Sequence, residues 1–176
     1  LNYLDDDGTI VEPEYYVPII PFALVNGISG IGTGFSCSIQ PYHPLSLVQY
    51  LKSKLTGQSE PVDFVPYYEG FKGTVERISE HKFLIRGAYE QSDGEDKIRI
   101  TELPIGTWTM PYITFLEGLV DGGVDKTGKK IAPTLKDFKS NSTEVAVDIT
   151  VQFPKGVLSG MSNDALEKTL KLSTSV

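Results

Sequence analysis

Lys97-Ile-Arg-Ile-Thr-Glu-Leu-Pro-Ile-Gly-Thr-Trp-Thr-Met-Pro-Tyr-Ile-Thr-Phe-Leu-Glu-Gly-Leu-Val120 changes its hydrophobic period in the middle. Up to Leu103, Ile98 and Ile100 alternate with Lys97, Arg99 and Thr101, the pattern of a strand with one buried face. Beyond Trp108, Tyr112, Phe115, Leu116, Leu119 and Val120 recur at helical spacing. Thr109 is the expected N-cap, Pro111 suits the first turn, and Gly122 marks the stop. A strand running into an amphipathic helix within one short stretch sets the class as α+β.

Working outward, Gly73–Ser79 and Lys82–Glu90 have strand character, and with Lys97–Leu103 they read as an antiparallel meander. A polar turn is expected at Ser92-Asp93-Gly94. Val145, Val147, Ile149, Val151 and Phe153 alternate with polar or small neighbours and predict a further strand. Ser162 caps a last short helix that turns Leu166 and Leu170 inward. Upstream, Pro44 opens a helix with Val48, Leu51 and Leu55 on one face, ended by Gly57. The stretch before it is rich in Gly and Pro and reads as irregular.

The balance of 16 basic against 23 acidic residues gives a net charge of -7, which by itself argues against nucleic acid. The distribution is more informative. Residues 1–14 hold five acids and no base, whereas Tyr15 to Leu51 contains no Asp, Glu, Lys or Arg. Such a stretch needs covering by a partner or another domain, and its prolines rule out a membrane helix. Lys126, Lys129, Lys130, Lys136 and Lys139 face only Asp137 and form a local basic loop. No apolar run of membrane length or signal peptide is read, so the chain is expected to be soluble and unexported. Cys37 is the only cysteine, which excludes an internal disulfide and fits a reducing compartment.

Gly27-Ile-Ser-Gly-Ile-Gly-Thr-Gly34 invites a phosphate-loop reading, but Lys-Ser/Thr does not follow the last glycine and the dinucleotide spacing is absent. Two readings remain. Ile31 is either an apolar wedge exposed between glycines too small to shield it, or an ordinary core residue of a buried loop. The glycines on either side of it are expected at positive φ. Asp5 and Asp7 are read as a solvated turn closed by Gly8 rather than a metal pair, because no third ligand follows at calcium-loop spacing. The only histidines are His43 and His81, and Ser29 lacks the second glycine of a nucleophile elbow, so no hydrolase constellation is visible. Trp108 is read as partly buried packing whose indole N–H can also donate to a phosphate.

The runs Glu12–Pro21, Leu24–Gly34, Gly70–Thr74 and Thr101–Thr109 resemble eukaryotic-type DNA topoisomerase II, in order and over nearly the whole chain. The resemblance implies a stretch of the breakage-rejoining core just after the active-site tyrosine. Residues 1–43 would be the end of a winged-helix region and 44–176 a tower domain, an antiparallel sheet with packed helices, cut short at its C-terminal end. It implies that Ile31 intercalates and kinks bound duplex DNA, on a loop built from Gly30, Gly32, Thr33 and Gly34. It also implies DNA contacts at Trp108, Lys168, Lys171, Ser173, Thr174 and Ser175.

The family's cleaving tyrosine follows an arginine, and none of the nine tyrosines here does. The stretch is therefore expected to be non-catalytic, with Mg2+ and ATP bound by other segments of an ATP-hydrolysing isomerase. Its implied partners are double-stranded DNA, the remaining domains of the same enzyme and a second copy in a homodimer, in the nucleus and away from membranes. Many members carry Trp where Phe35 stands and a basic residue where Gly106 stands. The second departure removes a phosphate partner beside Trp108. A noncatalytic protein-interaction module using Tyr15–Leu51, and a nucleotide-binding enzyme built on the glycine loop, are the rival readings.

Overall fold

The computed structural model describes residues 1–57, 62–80, 82–91, 96–124 and 130–176. The expected turn at Ser92-Asp93-Gly94, His81, and the Lys126 and Lys129 part of the basic loop lie outside these residues. The chain divides into two compact units, Leu1–Tyr68 and Glu69–Val176. Pro44, where the tower domain was expected to begin, is the first helical residue of a segment inside the first unit.

In the first unit, β1 (Tyr3–Asp6) and β2 (Thr9–Pro13) form a hairpin. Asp7 and Gly8 both take positive φ, +50° and +84°, as a two-residue turn matched to strand twist requires. The Asp5 carboxylate accepts a hydrogen bond from the Gly8 N–H at 2.6 Å, so it serves the turn. A short helix α1 (Phe22–Asn26) leads into β3 (Ile28–Gly32) and β4 (Phe35–Ile39). The Gly-rich stretch expected to be irregular is therefore a regular antiparallel hairpin. Glycine's low strand propensity is overridden by the ladder that β4 supplies.

Helix α2 (Pro44–Leu55) starts where His43 Nδ1 accepts from the Leu45 N–H at 3.2 Å. Leu47 points into a small aromatic cluster in which Phe64 meets Tyr42 and Tyr50 edge-on. Leu47 is the one buried hydrophobic residue of this unit among those described. So thin a core leaves the rest of the uncharged stretch half-buried or exposed.

The second unit is better filled. Strands β5 (Thr74–Ser79) and β6 (Lys82–Arg86) pair as expected, but the chain then breaks at Gly87 and resumes as β7 (Ala88–Gln91) in a different sheet. One strand over Lys82–Glu90 was expected. At the break the backbone lies so close to the end of β8 (Lys97–Glu102) that a Cβ on Gly87 would sit 2.4 Å from the Glu102 carbonyl oxygen. β8 pairs with β7 and is followed by α3 (Thr109–Asp121). Trp108, not Thr109, holds the N-cap position, and no side chain caps the helix. A short pair, β9 (Gly123–Val124) and β10 (Lys130–Ile131), precedes β11 (Asp137–Ser140) and β12 (Ile149–Gln152). The sheet order is β11-β12-β8-β7.

The strand expected over Val145–Phe153 pairs only from Ile149. Asn141 to Asp148 instead form the β11–β12 connection, tied by Asn141 N–H to Asp148 O and Thr143 N–H to Ala146 O, both 2.8 Å. Val145 is 95% exposed, whereas Val147 is partly buried against the core without joining a strand. Ser162 caps α4 (Asn163–Thr169) through the Ala165 N–H, as read from sequence, and β13 (Ser173–Ser175) then pairs with β6. Ile98, Ile100, Ile149 and Val151 on one sheet face pack with Tyr112 and Leu116 of α3 and with Leu166, Leu170 and Leu172. Each contributes on the order of 1.5–3 kcal/mol through burial.

Candidate nucleic-acid interface

Ile31 lies one pair from the tip of the β3–β4 hairpin, opposite Ser36. The turn is Thr33-Gly34, with Gly34 at φ +79°. Ile31 is 93% exposed and is not a core residue of this unit. The expectation of positive φ at its neighbours is corrected: Gly30 and Gly32 have ordinary strand backbones, and positive φ falls instead on Gly27 and Gly34. A Cβ on Gly30 would meet nothing within 4 Å, and one on Gly32 only the Phe35 carbonyl oxygen at 4.0 Å. By contrast, Gly27 is required, since its Cβ would sit 2.8 Å from the Ile39 carbonyl oxygen. The two glycines beside Ile31 are thus demanded neither by the backbone nor by packing in this unit. A bare strand of this kind lets another molecule approach the backbone closely.

Trp108 is 78% exposed at the start of α3, on an open groove of about 620 Å3 between the turn after β8 and the β11–β12 connection. Lys72 and Arg99 line this groove with Glu102, Glu144 and Asp148, so it has no cationic excess. Arg99 is moreover committed to Asp148 in a two-pronged ion pair at 2.8 and 3.2 Å. Hydrogen bonding from Arg99 holds the Asp148 carboxyl below the usual carboxylate range. What Trp108 offers a phosphate is its indole N–H alone.

The first two turns of α3 meet the turn that follows α4. Tyr112 Oη donates to the Leu170 carbonyl oxygen at 2.8 Å, and burial pushes its hydroxyl pKa well up, so it stays a donor. Lys171 takes the left-handed conformation, φ +51°, in the turn after α4 and places Nζ 4.2 Å from the Phe115 ring centroid. Trp108 and Phe115 are two turns apart, about 10 Å along the helix. Lys168 and Lys171 are exposed, and Ser173, Thr174 and Ser175 form β13, with Ser175 the most open. Within the second unit, Trp108 opens α3 and Lys171 lies over the same helix at Phe115, whereas Lys168 is in the last turn of α4 and β13 pairs with β6. Ile31, with Gly30, Gly32, Thr33 and Gly34, belongs to the first unit.

The family model for the DNA gyrase/topoisomerase IV A subunit matches residues 1–176. The chain belongs to this family. DNA topoisomerase 2 of Pisum sativum is 37% identical over 177 residues, covering 100% of the chain and 12% of the pea protein. DNA topoisomerase 2-alpha of Homo sapiens is 35% identical, again over 100% of the chain and 11% of the human protein. The chain thus spans about an eighth of its curated relatives' length and corresponds to part of a type II topoisomerase. A crystal structure of the Plasmodium falciparum topoisomerase II DNA-binding, cleavage and re-ligation domain superposes with a TM-score of 0.79 at 33% identity. The match covers 100% of this chain and 23% of that one.

Within this topoisomerase chain, one group of polar residues escaped the sequence reading. The β3–β4 register pairs Ser29 with Ser38 and Ile31 with Ser36, so all four side chains share one face of the hairpin. Ile28, Phe35, Cys37 and Ile39 share the other. Residue alternation was present in the sequence, but the turn position that fixes the register was not evident among four closely spaced glycines.

Proposed function

We propose that this chain is the DNA-bending and flank-supporting part of an ATP-dependent type II topoisomerase, which passes one duplex through a transient break in another. The observation that carries this reading is Ile31, 93% exposed beside two glycines that neither the backbone nor packing in the unit requires. An apolar side chain in that setting fits a wedge entering an opened base step, where unstacking costs a few kcal/mol and is offset by the contacts a bent duplex makes. Trp108, Lys168, Lys171, Ser173, Thr174 and Ser175 would support the flanking backbone through indole, ammonium and hydroxyl donors.

The chain itself carries no step of strand cleavage in this reading. The nucleophilic tyrosine, Mg2+ and ATP belong to other segments of a homodimeric nuclear enzyme. Exposed apolar residues of the first unit, Tyr16 and Ile19 among them, fit contact with those remaining domains. That surface also suits the rival reading of a pure interaction module, which predicts no duplex bending. In the full-length enzyme, Ile31→Ala should reduce the bend read by energy transfer between duplex ends and impair cleavage. A variant that bends DNA as fully as the original refutes the assignment.

A further inference from the structure

The face of the β3–β4 hairpin that carries Ile31 also carries Ser29, Ser36 and Ser38, and the last of these accepts a hydrogen bond from a side chain that is itself held. The Tyr68 hydroxyl donates to Gln40 Oε1 at 2.7 Å, and Gln40 Nε2 donates to Ser38 Oγ at 3.3 Å. Burial, and then Tyr42, raise the Tyr68 pKa above the ordinary phenol value, so this hydroxyl stays protonated and donating at neutral pH. A serine oxygen that accepts from an amide turns its own O–H elsewhere. Ser38 is exposed on the Ile31 face, so its own O–H is left to donate to a group approaching that side. No charged residue lies between Tyr15 and Leu51, so contacts made by this face are neutral hydrogen bonds.

We infer that Ser38 is a DNA-backbone donor on the wedge face, with Gln40 and Tyr68 as its positioning residues and Ser29 and Ser36 as the further hydroxyls of that face. This rests on the reading of Ile31 as a DNA wedge, which turns the shared face toward the duplex. The ligand group is a phosphodiester oxygen next to the opened step. A neutral donor adds affinity without releasing a counterion, whereas a lysine contact adds affinity with salt dependence.

The test is duplex binding by the full-length enzyme, followed by fluorescence anisotropy at several salt concentrations. Ser38→Ala should weaken binding about 3- to 10-fold, the range for one neutral hydrogen bond. The slope of log affinity against log salt, the melting temperature and the bend of the saturated complex should not change. Tyr68→Phe should weaken binding in the same sense, and Ser38→Ala/Tyr68→Phe should bind no worse than Ser38→Ala, because both act through one hydroxyl. Unchanged binding by Ser38→Ala, or additive losses in the double variant, overturns the inference. If Ile31→Ala abolishes bending while Ser38→Ala binds normally, only the serine assignment fails. If Ile31→Ala bends DNA fully, the wedge reading beneath it fails.

Discussion

Replacing Arg86 should unseat the segment that carries Lys168 and Lys171. Arg86, on β6, pairs with Glu167 of α4, and lies 3.6 Å from both Glu76 and Asp164. The Glu167 side chain is 7% exposed and that of Arg86 27%. Glu167 also accepts from the Tyr89 hydroxyl at 3.4 Å. In Arg86→Met the carboxylate would stay buried with only that weak bond, a change that costs about 3–5 kcal/mol when a buried pair loses one member. The water that reaches Arg86 places the expected loss near the lower end, about 3 kcal/mol. Removing both charges together, in Arg86→Met/Glu167→Leu, takes away the desolvation penalty with the pair and should return stability to within about 1 kcal/mol of the original. Urea denaturation of the 176-residue chain, followed by circular dichroism, reads the difference, and amide exchange at Ile85 and Leu170 reports the second unit specifically. A loss below about 1 kcal/mol in Arg86→Met, or a double variant as unstable as the two single losses added, would refute the reasoning.

Gly30→Ala and Gly32→Ala should leave folding nearly unchanged yet weaken duplex binding, whereas Gly87→Ala should destabilise the chain because its Cβ meets a carbonyl oxygen at 2.4 Å; thermal melts beside anisotropy separate the cases. Lys168→Gln with Lys171→Asn, Asn being tolerant of the left-handed turn, should flatten the salt dependence of duplex binding by roughly one to two phosphate equivalents. Because hydrogen bonding to Arg99 lowers the folded pKa of Asp148, its stabilising contribution is present above the ordinary Asp value of about 3.9 and is lost as pH falls through the lowered one. Carboxyl NMR should show Asp148 titrating low, and Arg99→Gln should return it to the ordinary range.

Period and punctuation in the chain determined its local elements. The switch from alternation to helical spacing around Trp108 located β8 and α3, the Ser162 cap located α4, and Asp7-Gly8 located the first turn, because each depends on neighbours in sequence. Tertiary structure decided which segments had a partner. Val145 and Val147 alternate as well as Ile149 and Val151, yet only the latter pair with β8; the polar Ser173–Ser175 becomes a strand because β6 has an open edge there. The candidate site divides in the same way. Ile31, Trp108 and the lysines could be named from sequence, through resemblance, because each is a single residue within a recognisable run. The absence of any backbone demand for Gly30 and Gly32, and the serine face oriented by Gln40 and Tyr68, depend on φ angles, register and a contact between residues distant in the chain. Those are properties of the folded backbone, and one residue's slip in register would have turned Ile31 and its serines to the opposite face.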